Sequence, residues 1–103
     1  MDVDDVGSLE DVIVAWAEVR DAFIERRPPA VDYWFLRVNG APDGGTISVS
    51  LRASQHGPIE VAPANDMGWF ERYGCTHAGL REILDLAHAD VLRWSGDPWR
   101  DMP

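Results

Sequence analysis

From Thr46 to Ala53 the chain alternates polar and apolar side chains without a break. Ile47, Val49, Leu51 and Ala53 fall on one side, and Thr46, Ser48, Ser50 and Arg52 on the other. Successive side chains of a strand point to opposite faces, so this period of two predicts a β-strand with one face buried and one face wet. Such one-sided strands belong to antiparallel sheets, because parallel strands are covered on both faces. The rest of the chain has to supply the cover for the Ile47 face.

Two further strands are expected beside this one. Val31 to Val38 is rich in β-branched and aromatic residues, with Trp34, Leu36 and Val38 on one face and Val31, Tyr33 and Phe35 on the other. Asn39-Gly40 and Asp43-Gly44-Gly45, with Pro42 between them, provide the turn residues of a hairpin joining it to the alternating strand. After Gln55-His56-Gly57, the segment Ile59-Glu60-Val61 reads as a short third strand, bounded by Pro58 and Pro63 and therefore placed at an edge.

The cover comes from helical spacing at both ends of the chain. Ser8 with Asp11 approximates a capping box, and Leu9, Val12, Ile13, Trp16, Val19 and Phe23 then form one apolar stripe. Pro28 and Pro29 cannot continue a helix, which predicts an end near Glu25 to Arg27. Asn65 or Asp66 can cap a short helix carrying Met67, Trp69, Phe70 and Tyr73, closed by Gly74. Thr76 can cap a final helix with the stripe Leu80, Ile83, Leu84, Ala87, Val91 and Trp94, which Ser95-Gly96-Asp97-Pro98 ends. Residues 1–7 are expected to be flexible, and residues 95–103 to form a tail carrying Trp99.

The expected fold is α+β: a two-layer sandwich in the order α-β-β-β-α-α, with a three-stranded antiparallel meander covered by the N-terminal and C-terminal helices. At 103 residues the chain has room for one core, hence one domain over 1–103. In topology alone this order resembles that of double-stranded-RNA-binding domains. The basic residues such a domain carries at the start of its last helix are replaced here by Thr76, His77 and Ala78, so that function is not expected.

Charge narrows the classes of partner. The net charge is −9, from 18 acidic and 9 basic residues, and every basic one is arginine. Such a field repels phosphate, which argues against nucleic acid and against anionic membrane surfaces. A protein partner with a basic or apolar surface is expected instead. The start Met1-Asp2-Val3-Asp4-Asp5 lacks the basic residues of a signal peptide, no apolar run is long enough to cross a bilayer, and Cys75 is the single cysteine. A cytoplasmic protein without disulfides is the expectation.

Chemistry-bearing groups are sparse. Cys75, near the expected start of the last helix and two residues from His77, is the best nucleophile the chain offers, since a helix dipole lowers a thiol pKa. A lone cysteine without a family signature is more often a packed side chain. Cys75, His56, His77 and His88 have no recognised zinc spacing, and Gly44-Gly45 precedes a strand rather than the helix a phosphate loop requires. Glu82, Asp85 and Asp90 read as solvated carboxylates, with Asp85 pairing Arg81 along a helix face. Neither an enzyme nor a cofactor or metal site is expected.

Five tryptophans are more than one small core readily absorbs. Trp16 and Trp94 fit helical stripes. Trp34 suits either the helix side or the opposite side of the sheet. If the helices cover Leu36, Ile47, Val49 and Leu51, Tyr33 and Phe35 are left on an open face, unless the short aromatic helix and Trp99 fold back over it, and with Trp69 and Trp99 they form the expected apolar part of a partner-binding surface. The acids Asp2, Asp4, Asp5, Glu10 and Asp11 are its expected charged part. The functional expectation is a small acidic inhibitor of a protein, of the toxin-immunity or phage counter-defence (anti-CRISPR) type. A homodimeric assembly subunit is the alternative, and a cysteine-dependent enzyme stands third.

Overall fold

The computed structural model describes residues 3–27, 33–51 and 57–95, with side chains from Leu9 onward. In chain order the elements are α1 (Val3–Val19), β1 (Ala22–Arg26), β2 (Tyr33–Val38), β3 (Gly45–Ser50), β4 (Ile59–Ala64), β5 (Tyr73–Cys75) and α2 (Leu80–Arg93). The strands form one antiparallel sheet in sequential order, with the alternating segment β3 at its centre. Both helices lie against the same side, α1 over β1 and α2 over β3, β4 and β5.

The α+β class therefore holds, but the meander has five strands rather than three. The first addition comes from the segment read as the end of the N-terminal helix. That helix runs through Ser8, so the cap expected there lies inside it, and it ends at Val19 rather than near Arg27. The break is made by Asp21, whose φ of 55° is left-handed and incompatible with helix continuation. Its carbonyl accepts from the Asn39 amide at 3.1 Å and its carboxylate from Asn39 Nδ2 at 3.2 Å, which fastens the bend to the β2–β3 turn. Beyond it, Ala22 and Ile24 face the helices, while Phe23 pairs with Arg37 on the opposite side. Val19 and Phe23, assigned to the buried stripe by spacing, are accordingly exposed.

The second addition replaces the short aromatic helix. Asn65 does bind downstream amides with its side chain, those of Met67 at 3.1 Å and Trp69 at 3.0 Å, as a cap would. Its own amide, however, donates to the Trp69 carbonyl at 3.0 Å and closes a turn, and Gly68 has a φ of 104° that no helix contains. The chain then runs back beside β4: Phe70 bridges to Ala64, and Val61, Glu60 and Ile59 pair with Tyr73, Gly74 and Cys75. Gly74 is thus a strand residue and not a helix terminator. β4 is interior, contrary to the edge position its prolines suggested. Pro63 pairs with Ile47 and its carbonyl accepts from Glu71, so its missing amide hydrogen falls on the β5 side, past the end of that strand.

The C-terminal helix follows its spacing closely. Leu80, Leu84, Ala87 and Val91 are buried, Ile83 packs at the margin, and Trp94 is buried just past the last turn. Thr76 caps the turn before the helix, its Oγ1 accepting from the Gly79 amide at 3.3 Å, and Gly79 takes the N-cap position. Against these residues pack Leu9, Ile13, Trp16 and Ala17 of α1 and the inner sheet residues Trp34, Leu36, Val38, Ile47, Val49, Ile59 and Val61. Fully burying each large member of this set contributes about 1.5–3 kcal/mol.

Candidate interaction face

The strand register fixes what the sheet presents on the side away from the helices. One row across the strands reads Tyr33, Ser50, Glu60 and Gly74, and the next reads Arg26, Phe35, Ser48 and Ala62. A third row reads Phe23, Arg37, Thr46, Ala64 and Phe70. Aromatic rings and guanidinium groups gather on β1 and β2, and small side chains occupy β3 and, apart from Glu60, β4. Phe23 is 45% exposed and Phe70 68% exposed, whereas Tyr33 and Phe35 are half-buried by their neighbours on the face. No described element lies across this side of the sheet.

Between β1 and β2 the face is hollowed to about 370 Å3, lined by Glu25, Arg26, Tyr33, Phe35 and Arg37. The hollow follows from a bulge: register slips between Ile24 and Arg26, leaving Glu25 as the extra residue. Arg37 Nε donates to Glu25 Oε1 at 2.9 Å and its Nη2 to Oε2 at 3.4 Å, and this pairing raises the guanidinium pKa further above its ordinary value. Arg26 has no ion-pair partner among the described residues. Within the strands the face carries Arg26 and Arg37 against Glu25 and Glu60, so its strand residues balance in charge on a chain of net charge −9, with Asp66 past the end of β4 acting on Arg37 from the margin.

Both edges of the sheet are protected against strand addition. β1 carries the bulge and the charges of Glu25 and Arg26, and β5 has only three residues. Bulges, charges and short length all discourage strand addition.

The expected binding residues do not come together. Tyr33 and Phe35 lie on the open face. Trp69 packs at the core margin, its ring stacked on Trp94 with centroids 5.9 Å apart and planes 12° from parallel. Asp4 and Asp5 lie in the first turns of α1, and Asp11 is exposed on the same helix, across the sheet from Tyr33. Glu10 is engaged within the fold: its Oε1 accepts from Trp34 Nε1 and from Arg27 Nη1, each at 3.2 Å. Asp2 and Trp99 lie outside the described residues. No family model, curated protein or solved structure matches the chain.

Phe23, Phe70, Arg26, Arg37 and Glu60 belong to the face and were not singled out by sequence. Phe23 and Phe70 had been assigned to helices, and only the doubly apolar character of Val31 to Val38 hinted at a second surface.

The groups considered for chemistry have structural surroundings. Cys75 ends β5 five residues before α2 rather than in its first turn, and burial pushes its thiol pKa up, the reverse of what a nucleophile requires. His88 packs edge-on against Trp16 with centroids 5.7 Å apart, and burial, followed by the charge of Arg20, lowers its pKa. His77 is exposed, and His56 lies outside the described residues, among which no group of three or more potential metal ligands occurs.

Two of the carboxylates read as solvated are not free. Asp90 is 3% exposed and accepts from Tyr73 Oη and from Arg93 Nη2, the latter at 2.8 Å. Asp85 pairs not with Arg81 but with Trp16 of α1 and with Arg20 just past its end, accepting from Trp16 Nε1 at 2.9 Å and from Arg20 Nε at 3.1 Å, with Arg20 Nη2 at 3.0 Å in the same ion pair.

Proposed function

We propose that this chain is a non-enzymatic protein-binding domain whose docking surface is the open face of the sheet. The observation that supports it best is the exposure of Phe23 and Phe70 at opposite margins of a face that no described element covers. Exposed aromatic residues on an uncovered face mark interaction sites, and aromatic residues with arginine are the types enriched at binding hot spots. The balance of charge among its strand residues, within an acidic chain, favours a protein surface over a polyanion. The acidic-inhibitor reading drew on Glu10 and the neighbouring acids of α1. With Glu10 engaged by Trp34 and Arg27, the sheet face is the better-supported surface.

Capture from the native host with tagged protein tests this reading. Wild-type chain, Phe23→Asp and Asp11→Arg are compared, because both positions are exposed and neither carries a core contact. The expected result is a bound protein lost with Phe23→Asp and retained with Asp11→Arg. The reverse pattern would overturn the sheet-face reading in favour of the acidic helix.

A further inference from the structure

We propose that the occupant of this face is a second copy of the chain, packed sheet to sheet about a two-fold axis parallel to β3. The inference rests on the reading of the sheet face as a docking surface and names its partner. It comes from the arrangement of the rows and from charge.

A two-fold axis along the central strand lays β1 and β2 of one copy over β5 and β4 of the other, and an isologous interface must satisfy every contact twice. In the central row the register meets that demand with residues of opposite size. Phe35 faces Ala62 of the partner subunit, with Ala62 facing the partner's Phe35 in return, because both stand in the row whose centre is Ser48. In the next row Phe23 lies over Phe70 of the partner subunit. In the remaining row Tyr33 lies over the partner's Glu60, which gives the phenol a carboxylate acceptor and brings Arg26, one row away, within reach of the same acid. A flat belt of Ser and Thr on β3 lets the two sheets approach at the axis, where Ser48 meets its own copy. Packed sheets align within about 30° of one another, which this axis allows.

A two-fold axis across the strands gives a poorer match. It would set Arg26 over Arg26, joining like charges, and would lay the Phe35 ring on its own copy in the central row instead of on Ala62. Charge also selects this face over the rest of the surface. Two chains of net charge −9 repel, and the sheet face, with two arginines against two glutamates, lets them meet without adding to that repulsion.

Sedimentation equilibrium of the full chain at about 0.15 M ionic strength provides the test. The wild type is expected at twice the chain mass. Phe35→Glu and Ala62→Arg are each expected to weaken association by about 100-fold or more, and mixing the two variants restores a two-chain species, because Glu at 35 then faces Arg at 62. Circular dichroism checks that each variant is folded. Independently of those substitutions, Ser48→Cys treated with a short bis-maleimide is expected to give a covalent dimer, Cys75 being buried.

A wild type of single-chain mass, a Phe35→Glu variant that stays paired, a mixture that fails to recover, or no Ser48→Cys cross-link would each overturn the proposal. If the wild type is a single chain while Phe35→Glu loses a foreign protein in the capture experiment, self-pairing falls and the binding face stands. If Phe35→Glu changes neither, both readings fall.

Discussion

Tyr73, at the start of β5, donates its phenolic hydrogen to Asp90, a carboxylate buried on α2. This bond ties the last and shortest strand of the sheet to the helix that covers it. Burial first, and then the bond to Asp90, push the phenol pKa up to about 12 from an ordinary value of 10.0. The folded state therefore holds this proton more tightly than the unfolded chain. Its contribution to stability is complete below pH 10 and is lost as pH rises toward about 12. Tyr73→Phe is expected to lower stability by about 1–2 kcal/mol near neutrality and to lack that alkaline loss. Urea unfolding of both proteins across the alkaline range measures the difference.

Asp85 provides the acid counterpart. The Trp16 indole, with Arg20 adding to it, holds the Asp85 carboxyl below the ordinary carboxylate range. A lowered pKa contributes stability above the unfolded value of about 3.9, which is lost as pH falls through the folded one. Asp85→Asn is expected to destabilise by about 0.5–1.5 kcal/mol at neutral pH, with thermal unfolding curves that converge on those of the wild type in acid.

Glu10 separates structural from surface acidity. Trp34 is fully buried and its indole hydrogen has Glu10 as acceptor, whereas Arg27 meets the same oxygen from solvent. Glu10→Ala is expected to cost about 1–3 kcal/mol by orphaning a buried donor. Arg27→Ala should change stability by less than about 1 kcal/mol. Chemical denaturation of the two variants distinguishes them.

Gly57 admits no side chain. Its φ is 146°, and a Cβ there would stand 2.4 Å from the Cys75 carbonyl oxygen, which is backbone and cannot swing aside. Gly57→Ala is expected to destabilise by about 2 kcal/mol or more, through strain and loss of the close approach of the chain to β5. A fall in thermal midpoint at unchanged secondary structure is the expected reading. A midpoint equal to that of the wild type would show that the contact is not required.

The sequence by itself determined the elements whose period is continuous. The alternation of β3 and the stripe from Leu80 to Trp94 are each set by local spacing, and Ile47, Val49, Leu80, Leu84, Ala87, Val91 and Trp94 are buried as read, whereas the spacing of β2 left open which of its two apolar faces turns inward. Burial of one face needs only a repeat that matches the element, so it is written in the order of the residues.

Tertiary structure decided where two ambiguous segments went. Ala22 to Arg26 suits a helix as well as a strand, and it became β1 because Asn39 holds Asp21 in a left-handed bend and β2 offers an unpaired edge. Residues 65 to 75 carry a capping signal that serves turns and helices alike, and the free edge of β4 took them as a strand. The open face depends on both choices. Phe23 and Phe70 reach it only because their segments are extended, and the pairing of distant strands that makes them so is not encoded in the spacing of either segment.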